Sequence, residues 1–365
     1  MKICFYSPYV GSTFGGGERY LFDVARIYAS KHEVYMAISS RQKSLDLEVL
    51  KKEYADFLQA DLSKINFIWT PLGDKKNSFQ KVWWTRRWDA IYYQTDGSTF
   101  FSLARRSILH IQIPLPLYKR NLWERIKLRT FRVKNTNSYF TKKVIEKYWN
   151  VKINLVHQPG IEMADFANNL VKKTKIILHV GRFFEGLHVK NQDVLVNFFT
   201  QLQAKYPQEL KGWQLVLIGN VESQNYAALV SKLAANNPQI KILHGVKRQE
   251  LVDYYKKASI YWHATGFFDD QTLHPERMEH FGISTLEAMA AGAVPIVIDK
   301  GGQPEVVGKN LRDLLWLTQR ECARKTLKVI GDANYRRALA QAAVARAQKF
   351  DAAVFEKKAW RMLEM

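Results

Sequence analysis

Short apolar runs alternate with segments of helical periodicity in two successive series along this chain, and this alternation most constrains the fold. Runs of the first series have the length and composition of buried strands, the last being the weakest: 2–9, 32–38, 65–70, 89–94, 107–113 and 137–141. Strand-like runs of the second series are 175–181, 213–220, 240–246, 259–265 and 293–299, with helical segments at 191–202, 226–235 and 250–258 between them. Such alternation favours parallel sheets covered by helices on both faces. The pattern therefore predicts two doubly wound α/β domains.

The segment 157–166 has the Pro-Gly punctuation of a linker between these series. We therefore expect an N-terminal domain at 1–160, a C-terminal domain at 161–345 and a separate final helical segment at 346–365. The helical period places four apolar residues of this last segment on one stripe, which must pack against a domain: Val354, Ala359, Met362 and Leu363.

Composition indicates a folded protein in a reducing compartment. Hydrophobic residues make up 47% of the 365-residue chain, and the two cysteines, Cys4 and Cys322, lie far apart without a metal or redox spacing. The first residues make a poor signal peptide, and no run approaches 18 uninterrupted apolar residues. We expect a cytoplasmic protein.

Positive charge is concentrated in one part of the chain. The formal net charge is +21, and the 60 residues from Lys75 to Lys134 hold 14 Lys and Arg against three acidic residues. Tryptophans interleave these charges at 81–88 and again at Trp123. Cations with aromatic anchors suit an anionic lipid surface, and charge alone suits a nucleic-acid backbone equally well. The segment therefore favours an anionic partner.

The stretch EHFGISTLEAMAAG (279–292) places two glutamates, Glu279 and Glu287, eight residues apart around the start of a predicted helix. One interpretation is local, because Ser284 and Glu287 have the spacing of a capping box. The other is functional. A helix N-terminus reached through a glycine offers free amides to an anion, and two carboxylates beside it can hold hydroxyl groups of the same ligand.

Three further motifs follow predicted strands: GGGE (15–18), GRFFEGLHVKNQ (181–192) and GGQPE (301–305). The first is a glycine-rich strand-to-helix turn that lets a ligand approach the backbone. The second places Arg182 and Lys190 at the carboxyl end of a sheet, where two cations suit a diphosphate leaving group. A group of acidic and histidine residues matches no established metal spacing, so no metal is expected: His263, Asp269, Asp270, His274 and His280.

The order of these motifs resembles the retaining glycosyltransferase family 4, whose members have the GT-B fold. The resemblance covers nearly the whole chain and is strongest at 177–307, where the family's pair of glutamates matches Glu279 and Glu287. It implies two Rossmann-like domains that face a cleft and a final helix that crosses back to the N-terminal domain. It also implies a UDP- or GDP-sugar donor, no cofactor and no metal.

The resemblance assigns roles to residues of the C-terminal domain. Glu287 would bind the ribose hydroxyls, Arg182 and Lys190 would neutralise the leaving diphosphate, and Glu279 would face the transferred sugar. The remaining donor-binding residues would be Gly181, Phe281, Gly282, Ile283 and Ser284.

The acceptor is expected on the N-terminal domain. Gly15, Gly16, Gly17 and Glu18 would form an acceptor or phosphate loop, and either His110 or Gln112 would lie near the reaction centre, with His110 preferred. A glycan or lipid-linked acceptor, in cell-surface polysaccharide or glycolipid synthesis, would explain the basic segment. The enzyme would then lie peripherally on the cytoplasmic membrane face.

Two rival functions stay open at this point. A nucleic-acid-binding protein explains the charge but gives no reason for the glutamate pair beside Arg182 and Lys190, so no nucleic acid is expected. A nucleotide-sugar epimerase of the same fold would need no acceptor, and nucleotide release that depends on an acceptor separates it from a transferase.

Overall fold

A computed structural model describes residues 1–42, 44–73, 78–117, 121–167 and 171–365. The chain divides into two compact units. Unit 1 comprises Met1–Pro159 and Ala353–Met365, and unit 2 comprises Gly160–Ala352. The boundary falls inside the Pro-Gly segment at 157–166.

Unit 1 contains a parallel sheet of seven strands among the described residues. The strands are β1 Lys2–Tyr6, β2 Glu33–Ser39, β3 Ile65–Thr70, β4 Ala90–Gln94, β5 Arg106–Ile111, β6 Val133–Thr136 and β7 Leu155–Val156. The helices are α1 Gly16–Ala29, α2 Leu47–Leu58, α3 Ser78–Thr85, α4 Leu122–Thr130 and α5 Tyr139–Trp149. The strand order is β3-β2-β1-β4-β5-β6-β7, so the chain reverses direction across the sheet between β1 and β4.

Unit 2 contains a parallel sheet of five strands within its described residues, in the order β10-β9-β8-β11-β12. The strands are β8 Thr174–Val180, β9 Gln214–Ile218, β10 Ile240–Leu243, β11 Ala258–His263 and β12 Val294–Val297. The helices are α6 Met163–Phe166, α7 Gln192–Lys205, α8 Gln224–Ala234, α9 Arg248–Lys257, α10 Ile283–Ala290, α11 Gln303–Val307, α12 Gln319–Gly331 and α13 Ala333–Ala347.

The predicted fold class is confirmed, because both units are parallel α/β sheets with the strand order of a Rossmann fold. Burial explains the apolar runs: β4 and β11 are buried along their whole length. The apolar face of α1 is also buried, with Leu21, Val24 and Tyr28 fully enclosed. Across the described residues, every helix is too short or too polar to cross a bilayer.

The predicted strand at 137–141 is wrong. The strand β6 ends at Thr136, and the Ser138 hydroxyl accepts a hydrogen bond from the Thr141 amide at 3.0 Å, which caps the N-terminus of α5. Cap chemistry and the apolar face that follows, with Val144 and Ile145 buried, decide in favour of the helix.

The last helix, α14, spans Ala352–Glu364 and belongs to unit 1 from Ala353 onward. Its buried face contains Phe355, Ala359, Met362 and Leu363, whereas the predicted stripe residue Val354 is exposed. The Tyr28 hydroxyl donates to the Ala359 carbonyl at 2.6 Å, and Arg106 donates to the Leu363 carbonyl at 2.6 Å. Residues 346–352, which the sequence assigned to this segment, lie in unit 2.

A buried hydrogen-bond network ties α14 to the sheet of unit 1. The Phe355 carbonyl can only accept, so Nε2 of His157 donates to it at 3.0 Å and Nδ1 of His157 accepts from the Tyr20 hydroxyl at 2.5 Å. Nδ1 of His110 donates in the same way to the Asn135 side-chain oxygen. Burial lowers the pKa of His110 to about 4 and that of His157 to about 3, so the folded state keeps both rings neutral.

We expect acid to destabilise unit 1 through these rings. As the pH falls from about 6.5 towards 4, the unfolded chain binds protons that the folded chain does not, so the stability present above pH 6.5 is lost. His157→Gln should reduce the pH slope of the free energy of unfolding by up to about 1.4 kcal/mol per pH unit. Urea unfolding between pH 4.5 and 7 measures this slope. His244→Gln removes an exposed histidine and serves as the control. Equal slopes in both variants would contradict the assignment.

Candidate active site

The strand order of unit 2 places the candidate site at the carboxyl ends of β8 and β11. From β8 the chain continues to β9 on one side of the sheet, and from β11 it continues to β12 on the other side. Open α/β sheets bind ligands at the point between two such strands. Gly181, Arg182 and Lys190 follow β8, and the chain after β11 leads to Glu279.

Lys190 and Glu279 form an ion pair at the centre of this site. Nζ of Lys190 lies 2.6 Å from Oε2 of Glu279, and Nε2 of His263 donates to the same oxygen at 3.0 Å. Burial would raise the pKa of Glu279, but the Lys190 ammonium and the His263 hydrogen bond outweigh it and hold that pKa well below its usual range. Burial lowers the pKa of His263. Glu279 is therefore a fixed carboxylate beside a fixed cation.

Gly181 allows Lys190 to reach this position. A Cβ atom at Gly181 would lie 2.8 Å from Cγ of Lys190 and 3.1 Å from Nε2 of His179. Any larger residue would push the lysine stem away from the sheet edge, because real Cβ contacts do not approach so closely. The absence of a side chain at Gly181 thus provides the space that the lysine stem occupies.

The helix of the glutamate pair begins two residues earlier than the capping-box interpretation requires. Gly282 is the N-cap, with φ of 112°, and α10 starts at Ile283, so Ser284 is the second helical residue. The Ser284 hydroxyl instead accepts a hydrogen bond from the Tyr261 hydroxyl at 2.8 Å. The capping box is therefore wrong, and the first-turn amides of α10 are free of side-chain caps. The Phe281 ring is buried against Phe350.

Glu287 is almost completely buried and forms an ion pair with Arg248 at 2.8 Å. Arg248 is the first residue of α9, and its guanidinium lies over the Phe166 ring at 5.3 Å. Sequence reasoning missed Arg248. A cation in the first turn of a helix opposes the helix dipole, and that anomaly was the available signal that a carboxylate lies nearby.

Arg182 lies shortly before Lys190 in the sequence but is not part of the Lys190–Glu279 ion pair. It has other partners. Nη1 donates to both carboxylate oxygens of Glu222, at 2.7 and 2.9 Å. Nη2 donates to Nε2 of His188 at 3.3 Å, and the guanidinium lies 5.2 Å from the Phe184 ring. Its charge is therefore held at the rim of the site by Glu222, a residue that the sequence did not single out.

The GGQPE motif packs against the backbone of the glutamate motif. The Gly302 amide donates to the Glu279 carbonyl at 2.7 Å. The Gln303 side chain is fully buried beside Gly282, and its amide has no hydrogen-bond partner among the described residues. In those same residues, no three or more His, Cys, Asp or Glu side chains are grouped so that they could hold a metal ion.

The N-terminal candidate residues, apart from His110, lie at the carboxyl edge of the sheet of unit 1. The Glu18 carboxylate accepts a hydrogen bond from the Gly15 amide at 2.8 Å at the N-terminus of α1. Gly17 lies against the Gln112 side chain, which a Cβ atom there would meet at 2.3 Å. His110 lies inside β5, fully buried and stacked on the Tyr20 ring at 4.1 Å. The structure thus brings Gln112, and not His110, to the glycine loop.

A family model and several solved structures match this chain. The family described as glycosyl transferases group 1 matches residues 161–346, and no curated protein sequence matches. Among solved structures, a glycosyltransferase from Rickettsia africae ESF-5 superposes with a TM-score of 0.73 at 16% identity, covering 100% of this chain and 98% of that chain.

Two further structures share the fold. Anabaena HepE, solved with UDP and glucose and with UDP-glucose, gives a TM-score of 0.70 at 16% identity and covers 100% of this chain and 99% of its own. WaaG, a glycosyltransferase involved in lipopolysaccharide biosynthesis, gives 0.63 at 15% identity with 99% of both chains covered. Both units therefore have the Rossmann-like architecture of GT-B glycosyltransferases. The family match covers half of the chain, and this enzyme belongs to the glycosyl transferases of group 1.

Proposed function

We propose that the enzyme is a retaining glycosyltransferase of family 4 that moves a sugar from a UDP- or GDP-sugar to a glycan or lipid-linked acceptor. The observation that carries this proposal is the buried Lys190–Glu279 pair beside the N-terminus of α10. A cation, a carboxylate and free amides suit a nucleotide sugar, whose diphosphate is anionic and whose sugar carries hydroxyl groups. HepE, a structural neighbour, was solved with UDP-glucose, which makes UDP the first base to test.

The leaving diphosphate requires the largest electrostatic support. When the bond between the anomeric carbon and the diphosphate breaks, negative charge grows on the departing oxygen. We assign Lys190 and Arg182 to that charge, together with the amides of Gly282, Ile283 and Ser284. Lys190 and the first amides of α10 are already positioned in the folded protein, so they stabilise the charge without reorganisation, and we expect the reaction to need no metal or other cofactor.

Glu279 and Glu287 take the hydroxyl groups of the donor in this proposal. Glu279 is ionised, and its Oε2 atom is the one that contacts both Lys190 and His263. Its second oxygen, Oε1, therefore suits a hydroxyl of the transferred sugar. Arg248 holds the Glu287 carboxylate in position for the ribose hydroxyls. The family resemblance of the glutamate pair supports retention of the anomeric configuration.

The acceptor hydroxyl is assigned to unit 1. Gly15, Gly16 and Gly17 open the N-terminus of α1 at the carboxyl edge of the sheet, beside Gln112. Because His110 is enclosed by Tyr20 and Asn135, we infer that it has a structural role in the core of unit 1. We assign contact with a substrate to Gln112 instead.

A basic-aromatic surface of unit 1 supports an acceptor held at an anionic membrane. It comprises α3, α4 and the arginines that follow α3. Four large apolar side chains on these helices are more than half exposed: Phe79, Trp83, Leu122 and Trp123. Arg86 lies over the Trp83 ring at 4.9 Å, and Arg87 lies over the Trp84 ring at 4.5 Å. Exposed rings with cations match a headgroup layer that has an apolar boundary and negative charge. This suits cell-surface polysaccharide or glycolipid synthesis.

The reaction is tested by acceptor-dependent release of nucleotide diphosphate. A thermal-shift screen with UDP, GDP, ADP and their sugars identifies the donor, because a ligand at 100 times its Kd stabilises by about 2.7 kcal/mol. Release that needs no acceptor would favour an epimerase. Proton NMR of the first product then reports whether the anomeric configuration is retained.

Glu287→Gln should remove recognition of the ribose. The parent enzyme should bind the nucleoside diphosphate at least about tenfold more tightly than its 2′,3′-dideoxy analogue, because the analogue cannot donate hydroxyl hydrogen bonds to the buried Glu287 carboxylate. The variant should bind both compounds equally, as isothermal titration calorimetry can show. A variant that is less stable but still discriminates would show that Glu287 only pairs with Arg248.

Lys190→Met should lower kcat by about 10²–10³, because it removes a charge that faces the leaving group. Without the ammonium, burial raises the pKa of Glu279, so the variant should also lose activity as the pH falls towards 5 while the parent does not. The pH dependence of kcat measures both effects. Normal turnover in Lys190→Met would contradict the assignment.

Membrane binding should depend on the basic-aromatic surface. We expect salt-sensitive co-sedimentation with vesicles containing anionic lipid and little with neutral vesicles. Arg86→Ser with Arg87→Ser should weaken it by about thirtyfold, since each of the two cations near the surface contributes roughly 1 kcal/mol. The matched control is Lys51→Ser with Lys52→Ser, which removes the same charge from α2. Equal losses in both double variants would show that binding depends on the net charge of the protein and not on this surface.

A further inference from the structure

Each cation of the candidate donor site is paired with a carboxylate. The pairs are Lys190 with Glu279, Arg248 with Glu287 and Arg182 with Glu222. The side chains are 13% and 16% exposed in the first pair, 23% and 6% in the second, and 31% and 36% in the third. The Arg182–Glu222 pair is thus the most accessible to water and the easiest to exchange, because exposed ion pairs contribute little to stability.

Glu222 accepts hydrogen bonds from N–H groups of Arg182 that a bound phosphate group would also require. Nη1 of Arg182 is directed at both carboxylate oxygens, and Nη2 is directed at His188. A guanidinium binds phosphate with the same N–H groups that it offers to a carboxylate. The Glu222 carboxylate therefore stands in the place of a phosphate oxygen pair.

The backbone holds Glu222 at this position. Glu222 follows β9, and its amide donates to the Phe183 carbonyl at 3.0 Å. The preceding residue, Val221, forms a parallel bridge with Phe183, which directly follows Arg182 in the chain. The pairing is therefore built into the contact between the two loops and does not depend on a freely mobile side chain.

We propose that Glu222 competes with the donor diphosphate for Arg182. The inference rests on the proposed function, in which Arg182 faces the diphosphate. Before the donor binds, Glu222 neutralises and holds the guanidinium. Donor binding exchanges the carboxylate for phosphate oxygens, and after transfer the carboxylate takes Arg182 back, which assists release of the nucleotide diphosphate.

The test is the affinity for UDP, or for GDP if only GDP shifts the melting temperature. Glu222→Gln removes the charge of the competitor, so the Kd for UDP should fall by about two- to fivefold at low ionic strength, and the gain should shrink at high salt. The affinity for uridine, which has no phosphate, should not change. Product release should slow, so kcat should fall if release limits turnover.

Glu185→Gln is the matched control. It removes the same charge from the loop that follows Arg182, but the Glu185 carboxylate accepts from the Ser223 hydroxyl. We expect no change in its Kd for UDP. In an Arg182→Ala background, Glu222→Gln should also have no effect, because the competitor has then lost its target.

Unchanged or weaker UDP binding by Glu222→Gln would overturn the inference, because it would show that the carboxylate is neutral or orients Arg182 for the ligand. An equal gain in UDP affinity in Glu185→Gln would show that only the net charge of the protein matters, and it would overturn the inference as well. If Arg182→Ala binds UDP as tightly as the parent, or if the parent binds no nucleotide, the proposed function itself fails and the inference falls with it.

Discussion

The ion pair between Lys190 and Glu279 is the interaction on which the candidate site depends. Two charged groups are withdrawn from water here, and such groups are stable only when their remaining hydrogen bonds are made. His263 supplies one of those bonds, and the absence of a side chain at Gly181 lets the lysine reach the carboxylate. The Gly302 amide holds the Glu279 backbone. Loops after three strands of one sheet therefore converge on a single carboxylate, which explains why motifs far apart in the sequence act together.

Charge in this site is balanced pair by pair, and burial separates the roles of the pairs. The two enclosed pairs hold the Glu279 and Glu287 carboxylates at fixed positions, where carboxylates can hold hydroxyl groups. The pair at Arg182 is the most exposed of the three, and we propose that it exchanges one anion for another. In the proposed function a diphosphate would bring negative charge to the same cations, so binding would replace internal counter-ions instead of filling an unbalanced cationic site.

The sequence predicted those parts of the structure that local rules determine. Alternating periodicity was enough for two parallel sheets, and the start of α10 at the glutamate motif followed from Gly282. Errors arose where two local rules competed. At Ser138, cap chemistry prevailed over strand propensity. On α14, a difference of one residue in helical phase exchanged Val354 for Phe355 on the buried face.

Tertiary neighbours could not be predicted from one sequence. Glu222 lies 40 residues from Arg182, and Arg248 lies 39 residues from Glu287, so no spacing rule links either pair. His110 and Gln112 share one face of a strand pattern, and only the end of β5 at Ile111 separates a core residue from one at the sheet edge.

A crystal structure of the enzyme with its nucleoside diphosphate tests the central claim most directly. The account predicts diphosphate oxygens within about 3 Å of Lys190 Nζ and of the first amides of α10, with ribose hydroxyls on Glu287. It also predicts that Arg182 has turned from Glu222 to the diphosphate. A nucleotide bound away from the carboxyl ends of β8 and β11, with Lys190 still paired only to Glu279, would contradict it.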